Sequence, residues 1–74
     1  MPLMFLTIAG TDPSGAAGIQ VDLQVARDHG LHGLSALTAV VSQNTQGVQN
    51  SHALPPSILR SQLKSLFTDL PVHV

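Results

Sequence analysis

The sequence has 74 residues, of which 43% are hydrophobic and 9% are charged, with a formal net charge of −1 and no cysteine. The hydrophobic content is typical of a chain that forms a core, and the near-neutral charge excludes a basic nucleic-acid-binding surface. The absence of cysteine excludes disulfides and thiolate metal sites. No apolar run approaches the roughly 18 residues of a membrane span, so we expect a cytoplasmic protein.

The first half of the chain predicts a strand, a loop and a helix. Residues 3–9 form a short apolar run, typical of a strand that is buried on both faces of a parallel sheet. Residues 10–18 are rich in glycine and other turn residues and predict a loop. Residues 17–29 predict a helix that Gly30 ends. The helix side chains expected to face water are Gln20, Gln24, Arg27 and Asp28.

The second half continues the alternation of strands and helices. Residues 33–41 predict a second strand, and residues 48–53 predict a further short one. Residues 55–70 predict a helix that opens on two prolines and carries leucine at helical spacing. Residues 72–74 begin another apolar run. The order predicts the β-α-β-(β)-α portion of an α/β fold with a parallel sheet, and a sheet of this size is incomplete.

The loop at residues 10–18 is close to two phosphate-binding patterns but matches neither. Gly10 and Gly15 have the spacing of G-x-x-x-x-G-K-[ST], but Ala16 and Ala17 stand where the lysine and the hydroxyl residue belong. The dinucleotide-binding pattern G-x-G-x-x-G fails as well. A loop of small residues before a helix N-terminus lets a ligand approach the backbone or holds an anion. A loop that only turns the chain is equally compatible with this composition.

A second polar cluster, residues 42–47, follows the predicted second strand. Ligands of open α/β sheets bind beyond the carboxyl ends of the strands. If the two strands are parallel, the cluster and the loop at residues 10–18 lie at the same sheet edge. Gln43 then offers a carboxamide that donates and accepts, which suits a ring nitrogen and its neighbouring amine. The alternative is that Gln43 and Asn44 cap a turn.

Several ionisable residues are candidates for the site. Asp22 lies on the predicted helix, and its spacing alone favours a side chain in water. Asp12 lies in the loop, where capping the helix and binding a ligand hydroxyl both stay open. The four histidines are scattered along the chain. We therefore expect no metal site, because zinc needs three or four convergent ligands.

Two segments give the sequence a resemblance to a known family. Residues 7–23 read TIAGTDPSGAAGIQVDL and residues 38–48 read TAVVSQNTQGV. They resemble the two signatures of the hydroxymethylpyrimidine and phosphomethylpyrimidine kinases, with Ala16 in place of the usual glycine and Val21 in place of the usual alanine. Two long signatures at the family spacing are a specific signal, and the resemblance covers nearly the whole chain.

The resemblance implies a ribokinase-like fold in which residues 1–74 form the N-terminal part of a single kinase domain. It implies the phosphorylation of hydroxymethylpyrimidine and its monophosphate with ATP and Mg²⁺ in thiamine biosynthesis. By resemblance, the residues that bind the substrate are Gly10, Ala17, Gly18, Asp22 and Gln43. The family's nucleotide site and catalytic residue lie in its C-terminal half. We therefore assign no catalytic residue to this chain and expect it to be inactive alone.

Other functions stay open at this point. Some relatives phosphorylate pyridoxal-type vitamers. A chain from a truncated gene that keeps only the pocket would be a non-catalytic binding module for a small molecule. The charged content of 9%, against about 25% in typical domains, predicts that further chain or a partner covers part of the surface. A homo-oligomer also stays open, whereas nucleic acid and membrane are not expected as partners.

Overall fold

The computed structural model describes residues 2–74. The elements are, in chain order, β1 (Met4–Ala9), α1 (Gly18–Asp28), β2 (His32–Leu37), β3 (Ala39–Asn44), β4 (Gly47–Ala53) and α2 (Pro56–Phe67). β1 and β2 form a parallel pair, and β3 and β4 form an antiparallel hairpin. The predicted α/β class is confirmed, and the predicted short strand at residues 48–53 is present as β4.

β1, α1 and β2 form a parallel β-α-β unit around a small core. The strands pair in register from Met4 beside His32 to Ala9 beside Leu37. The buried apolar residues are Ala26, Leu34 and Ala36. α1 ends in a Schellman motif, in which the Leu31 N–H donates to the Ala26 carbonyl at 2.8 Å and the Gly30 N–H to the Arg27 carbonyl at 2.9 Å. Gly30 has a φ of 72°, so its prediction as the helix stop is confirmed.

The prediction of one continuous strand over residues 33–41 is wrong. The chain changes partner at Thr38: β2 ends at Leu37 beside β1, and β3 starts at Ala39 and pairs with β4. The Thr38 N–H still donates to the Ala9 carbonyl, at 2.9 Å. An apolar run carries no periodic signal at the point where a strand leaves one partner for another, which is why the sequence did not reveal the break.

The chain after β4 returns to the parallel pair. α2 lies against β2, where the Gln62 carboxamide accepts from the Leu37 N–H at 2.8 Å and donates to the Leu37 carbonyl at 2.9 Å. Further on, the Val74 N–H donates to the Met4 carbonyl at 3.1 Å and the Val74 carbonyl accepts from the Leu6 N–H at 2.9 Å. This alternation is the hydrogen-bond pattern of parallel strands. The apolar run at residues 72–74 therefore lies along the second edge of β1.

The structure is thin, with principal extents of 40 × 31 × 11 Å. Every residue of β4 is exposed. The large apolar residues that remain exposed are Leu3, Ile8, Val25, Val40, Val48, Ile58, Phe67 and Val74. Neither of the helices described within residues 2–74 has the length and apolar character needed to cross a bilayer.

Candidate functional site

The loop between β1 and α1 is built around the carboxylate of Asp12, which is 3% exposed. Oδ1 accepts from the Ser14 hydroxyl at 2.6 Å and from the Ser14 N–H at 2.9 Å, and Oδ2 accepts from the Ala16 N–H at 3.2 Å. The Ser14 hydroxyl, followed by the backbone donors, lowers the pKa of Asp12 below its usual value, although burial acts in the opposite direction. Asp12 is therefore an anion that orders the loop. It does not cap the helix, because the N-cap of α1 is Ala17.

Gly18 brings the start of α1 against the end of β1. Its φ is +69°, and a Cβ at this position would lie 2.6 Å from the Gly10 carbonyl oxygen and 3.1 Å from the Asp12 nitrogen. The Ile19 N–H donates to the same Gly10 carbonyl at 3.1 Å. Only glycine fits both the dihedral angle and the space. The backbone of Gly10 and that of Ala17 and Gly18, all predicted to bind substrate, are thus held close together.

The departure from the signature at Ala16 leaves this loop intact. The left-handed conformation of the loop belongs to Gly15, with a φ of 77°, and to Gly18, while no residue other than glycine in the described chain has a positive φ. Ala16 is exposed. Its backbone therefore does not require the glycine that is usual in the signature.

Asp22 is half-buried and contacts β1 instead of lying in water. Its Oδ2 accepts a hydrogen bond from the Thr7 hydroxyl at 2.6 Å, and Thr7 is 5% exposed. The alternative that helix spacing alone favours, a side chain in water, therefore does not hold, because Asp22 is half-buried. Spacing describes the helix alone and does not reveal that the adjacent strand presents a hydroxyl. The role of Asp22 in substrate binding stays a prediction.

Gln43 lies beside the loop, although not for the reason that the sequence suggested. It belongs to a hairpin strand and not to a strand parallel to β1. β3 passes along Thr11, whose N–H donates to the Ala39 carbonyl at 3.1 Å and whose hydroxyl accepts from the Val41 N–H at 2.9 Å. Two residues further on, Gln43 Nε2 approaches the Thr11 carbonyl at 3.4 Å. Within residues 2–74, no donor contacts its Oε1, so the carboxamide keeps an acceptor for a ligand.

A β-bulge lies directly opposite Gln43. The register pairs Ser42 with Asn50 and then Gln43 with Val48, so that Gln49 is the additional residue on β4. Bulges bend a strand and change the direction of nearby side chains, and they are frequent beside functional sites. The turn-capping alternative holds for Asn44, whose Oδ1 accepts from the Gln46 N–H at 2.8 Å, and not for Gln43.

Sequence reasoning missed Gln20, which it placed in water. Gln20 is half-buried, and its carboxamide bonds both backbone groups of Asp12: Oε1 accepts from the N–H at 3.1 Å and Nε2 donates to the carbonyl at 2.6 Å. Helical periodicity separates polar from apolar positions, but it does not show that a loop covers part of the polar face. The expectation of exposed side chains is confirmed for Gln24, Arg27 and Asp28.

The described residues do not fit a nucleotide or magnesium site. The loop has no lysine, and the carboxylate at its centre is anionic and engaged with loop donors, which disfavours a triphosphate. No group of three histidine or carboxylate side chains among residues 2–74 is close enough to bind a metal ion. The arrangement instead offers a backbone surface of small residues next to a carboxamide.

The chain is similar to known proteins of one family. The family model described as phosphomethylpyrimidine kinase matches residues 12–74. The chain is 51% identical over 67 residues to the hydroxymethylpyrimidine/phosphomethylpyrimidine kinase of Escherichia coli (strain K12), a match that covers 90% of this chain and 25% of that protein. It therefore spans about a quarter of the length of that relative.

Solved structures agree with the sequence relatives. The crystal structure of phosphomethylpyrimidine kinase from Clostridium difficile 630 is similar with a TM-score of 0.91 and 43% identity, over 95% of this chain and 30% of that chain. The ADP complex of Bacillus subtilis pyridoxal kinase has a TM-score of 0.84 and 31% identity, over 97% of this chain and 29% of that chain. The ribokinase-like α/β fold predicted from the two signatures is confirmed. The chain belongs to the phosphomethylpyrimidine kinase family.

Proposed function

We propose that this chain supplies the pyrimidine-binding portion of a kinase that phosphorylates hydroxymethylpyrimidine and its monophosphate in thiamine biosynthesis. The observation that carries the proposal is the packing of β3 along Thr11, which brings the Gln43 carboxamide to 3.4 Å from the loop backbone. A flat heteroaromatic ring needs such a combination of a close backbone surface and an adjacent polar group.

Each residue has a distinct part in the proposed pocket. The backbones of Gly10, Ala17 and Gly18 form a surface without bulky side chains, against which the ring lies. Gln43 donates to a ring nitrogen and accepts from the exocyclic amine, which would otherwise lose its water without compensation. Asp22, oriented by the Thr7 hydroxyl, supports the pocket from the first helix.

The transfer of the phosphoryl group needs residues that this chain does not supply. The reaction depends on positioning and on charge stabilisation around the γ-phosphate, and ATP with Mg²⁺ would be bound by the remainder of a kinase domain in which residues 1–74 form the N-terminal part. The 74-residue chain alone is therefore expected to have no kinase activity.

A pyridoxal-type substrate is the alternative. The pyridoxal kinase of Bacillus subtilis has a similar structure, but its identity to this chain is 31%, compared with 51% for the Escherichia coli pyrimidine kinase. The identity difference supports the pyrimidine, and the donor and acceptor of Gln43 suit a ring that carries an amine beside a ring nitrogen.

The test is a substrate panel on the full-length protein. Hydroxymethylpyrimidine, its monophosphate and pyridoxal are compared by kcat/KM with MgATP, with ADP release as the readout. We expect both pyrimidines to exceed pyridoxal by at least about tenfold, because a site that pairs a polar edge discriminates strongly against a ring without it. A preference for pyridoxal would replace the proposal with the vitamer kinase. Pyrimidine binding without turnover of any substrate would identify a non-catalytic binding module.

A further inference from the structure

The carboxamide of Gln20 makes a two-point contact with the backbone of Asp12. The Asp12 N–H donates to Oε1 at 3.1 Å, and Nε2 donates to the Asp12 carbonyl at 2.6 Å. We call this pair of bonds the Gln20–Asp12 clamp. The N–H and the carbonyl of Asp12 belong to the two peptide groups on either side of its Cα, so this pair of bonds restrains the backbone conformation of Asp12, which a single bond does not do.

The clamp joins the loop that follows β1 to the first turn of α1. Gln20 lies in the first turn of α1, where the neighbouring Ile19 N–H also bonds the Gly10 carbonyl at 3.1 Å. Asp12 in turn holds the loop residues that follow it, because its carboxylate accepts hydrogen bonds from the Ser14 N–H and hydroxyl and from the Ala16 N–H. Asp12 and the bond between Ile19 and Gly10 therefore hold the loop backbone assigned to the substrate.

A second glutamine makes the same kind of two-point contact with the backbone. Gln62 of α2 binds both backbone groups of Leu37, at 2.8 and 2.9 Å. Both glutamines attach a helix to a piece of backbone at the carboxyl end of a strand. By contrast, Gln24 lies one turn after Gln20 on the same helix and is exposed. The two-point contact is therefore a property of particular positions and not of glutamine in general.

We propose that Gln20 is a positioning residue for the pyrimidine substrate. It acts through Asp12 and does not touch the substrate. The proposal rests on the proposed function, because it assigns the loop backbone to the pyrimidine. It requires a carboxamide: a carboxylate lacks the donor for the Asp12 carbonyl, asparagine is one methylene shorter, and an aliphatic side chain has neither group.

The test uses Gln20→Glu in the full-length enzyme, with pyrimidine KM, ATP KM and kcat measured from about pH 8.5 to about pH 5.5. A carboxylate repels the Asp12 carbonyl, whereas a protonated carboxyl has the donor and acceptor of glutamine. The carboxylate of Asp12 belongs to the residue that the new group would contact, and its negative charge favours protonation of the new group. We expect the pyrimidine KM to rise about tenfold at high pH and the defect to shrink as the pH falls, with ATP KM unchanged.

The control is Gln24→Glu, which adds the same charge to the exposed face of α1. Its kinetic constants should follow the wild type at every pH. Gln20→Met removes both bonds without adding a charge, so its higher pyrimidine KM should not recover at low pH. An unchanged pyrimidine KM in a folded Gln20→Met enzyme contradicts the proposal, as does an equal loss in pyrimidine and ATP constants. Wild-type turnover of the pyrimidine in the same assay keeps this outcome separate from a failure of the proposed function.

Discussion

The two regions that carry the candidate site are held together in different ways. The loop at residues 10–18 is fixed by the hydrogen bonds of the buried Asp12 and by bonds from Ile19 and Gln20 of α1. The hairpin of β3 and β4 carries Gln43 but is exposed along the whole of β4. It meets the loop through Thr11 alone among the hydrogen bonds described above. The backbone half of the site is therefore preformed, whereas the position of the side-chain half depends on a few contacts.

Because of this difference, substitutions in the two regions should have different effects on the stability of the fold and on the binding of substrate. Changes in the loop should reduce both the stability of the fold and the binding of substrate, because the same bonds serve both. Changes at Gln43 should affect substrate binding and leave stability nearly unchanged, since its side chain contributes one long hydrogen bond of 3.4 Å to the protein.

Gly18→Ala should have the largest effect. An alanine in the left-handed region costs about 1–2 kcal/mol, and its Cβ would also lie 2.6 Å from the Gly10 carbonyl oxygen. We expect a total loss of about 3 kcal/mol or more, measured by urea unfolding of the full-length protein, together with a higher pyrimidine KM.

Gly15→Ala is the matched control for that experiment. Gly15 has a φ of +77°, but a Cβ added there would meet no other part of the protein within 4 Å. The variant should therefore lose only about 1–2 kcal/mol, the cost of the dihedral angle. Equal losses for the two variants would show that the close approach to Gly10 contributes nothing.

Thr7→Val should have a smaller effect. It keeps the shape of the buried side chain but removes the donor that lies 2.6 Å from Asp22. We expect a loss of about 1–2 kcal/mol by urea unfolding, and a higher pyrimidine KM if Asp22 supports the pocket. The exposed Ser35, which pairs with Thr7 in the ladder, is the control, and Ser35→Ala should stay within about 0.5 kcal/mol. A loss of stability without any change in KM would remove Asp22 from the site.

The last prediction concerns the pH dependence of stability through Asp12, for which the expected effect near neutral pH is the smallest. Its pKa is lowered in the folded protein, chiefly by the Ser14 hydroxyl. The stabilisation is therefore fully present above the ordinary aspartate pKa of about 3.9 and is lost as the pH falls through the lowered value. The amide resonances of Ser14 and Ala16, followed by NMR in the full-length protein, should stay constant above that range and shift below it. A shift centred above the ordinary value would contradict the assignment.

Local chemistry made much of this structure predictable. The apolar run of β1, the turn residues of the loop and the helix stop at Gly30 all act within a few residues. The two signatures then identified the fold and the candidate site residues. Ala16 was visible as a departure, and the structure explains it by a backbone that has no positive φ there.

The remaining features depend on contacts between distant parts of the chain. The break at Thr38 is decided by which strand lies alongside, and the burial of Gln20 by the path of the loop. The bond from Thr7 to Asp22 joins residues on different elements. Gln43 lies beside the loop as expected, but a hairpin strand carries it and not the end of a strand parallel to β1. The polar cluster at residues 42–47 does not specify the direction of the strand that leads into it.

The most direct test of the two-part site is steady-state kinetics of Gln43→Leu in the full-length protein, with pyrimidine and ATP varied in turn and stability measured alongside. The substitution leaves the polar edge of the pyrimidine unpaired, at a cost of about 1–3 kcal/mol in binding. We predict a higher pyrimidine KM with the ATP KM and the free energy of unfolding nearly unchanged. A worse ATP KM with an unchanged pyrimidine KM would contradict the assignment of Gln43 and with it the division of the site into a preformed loop and a selecting side chain.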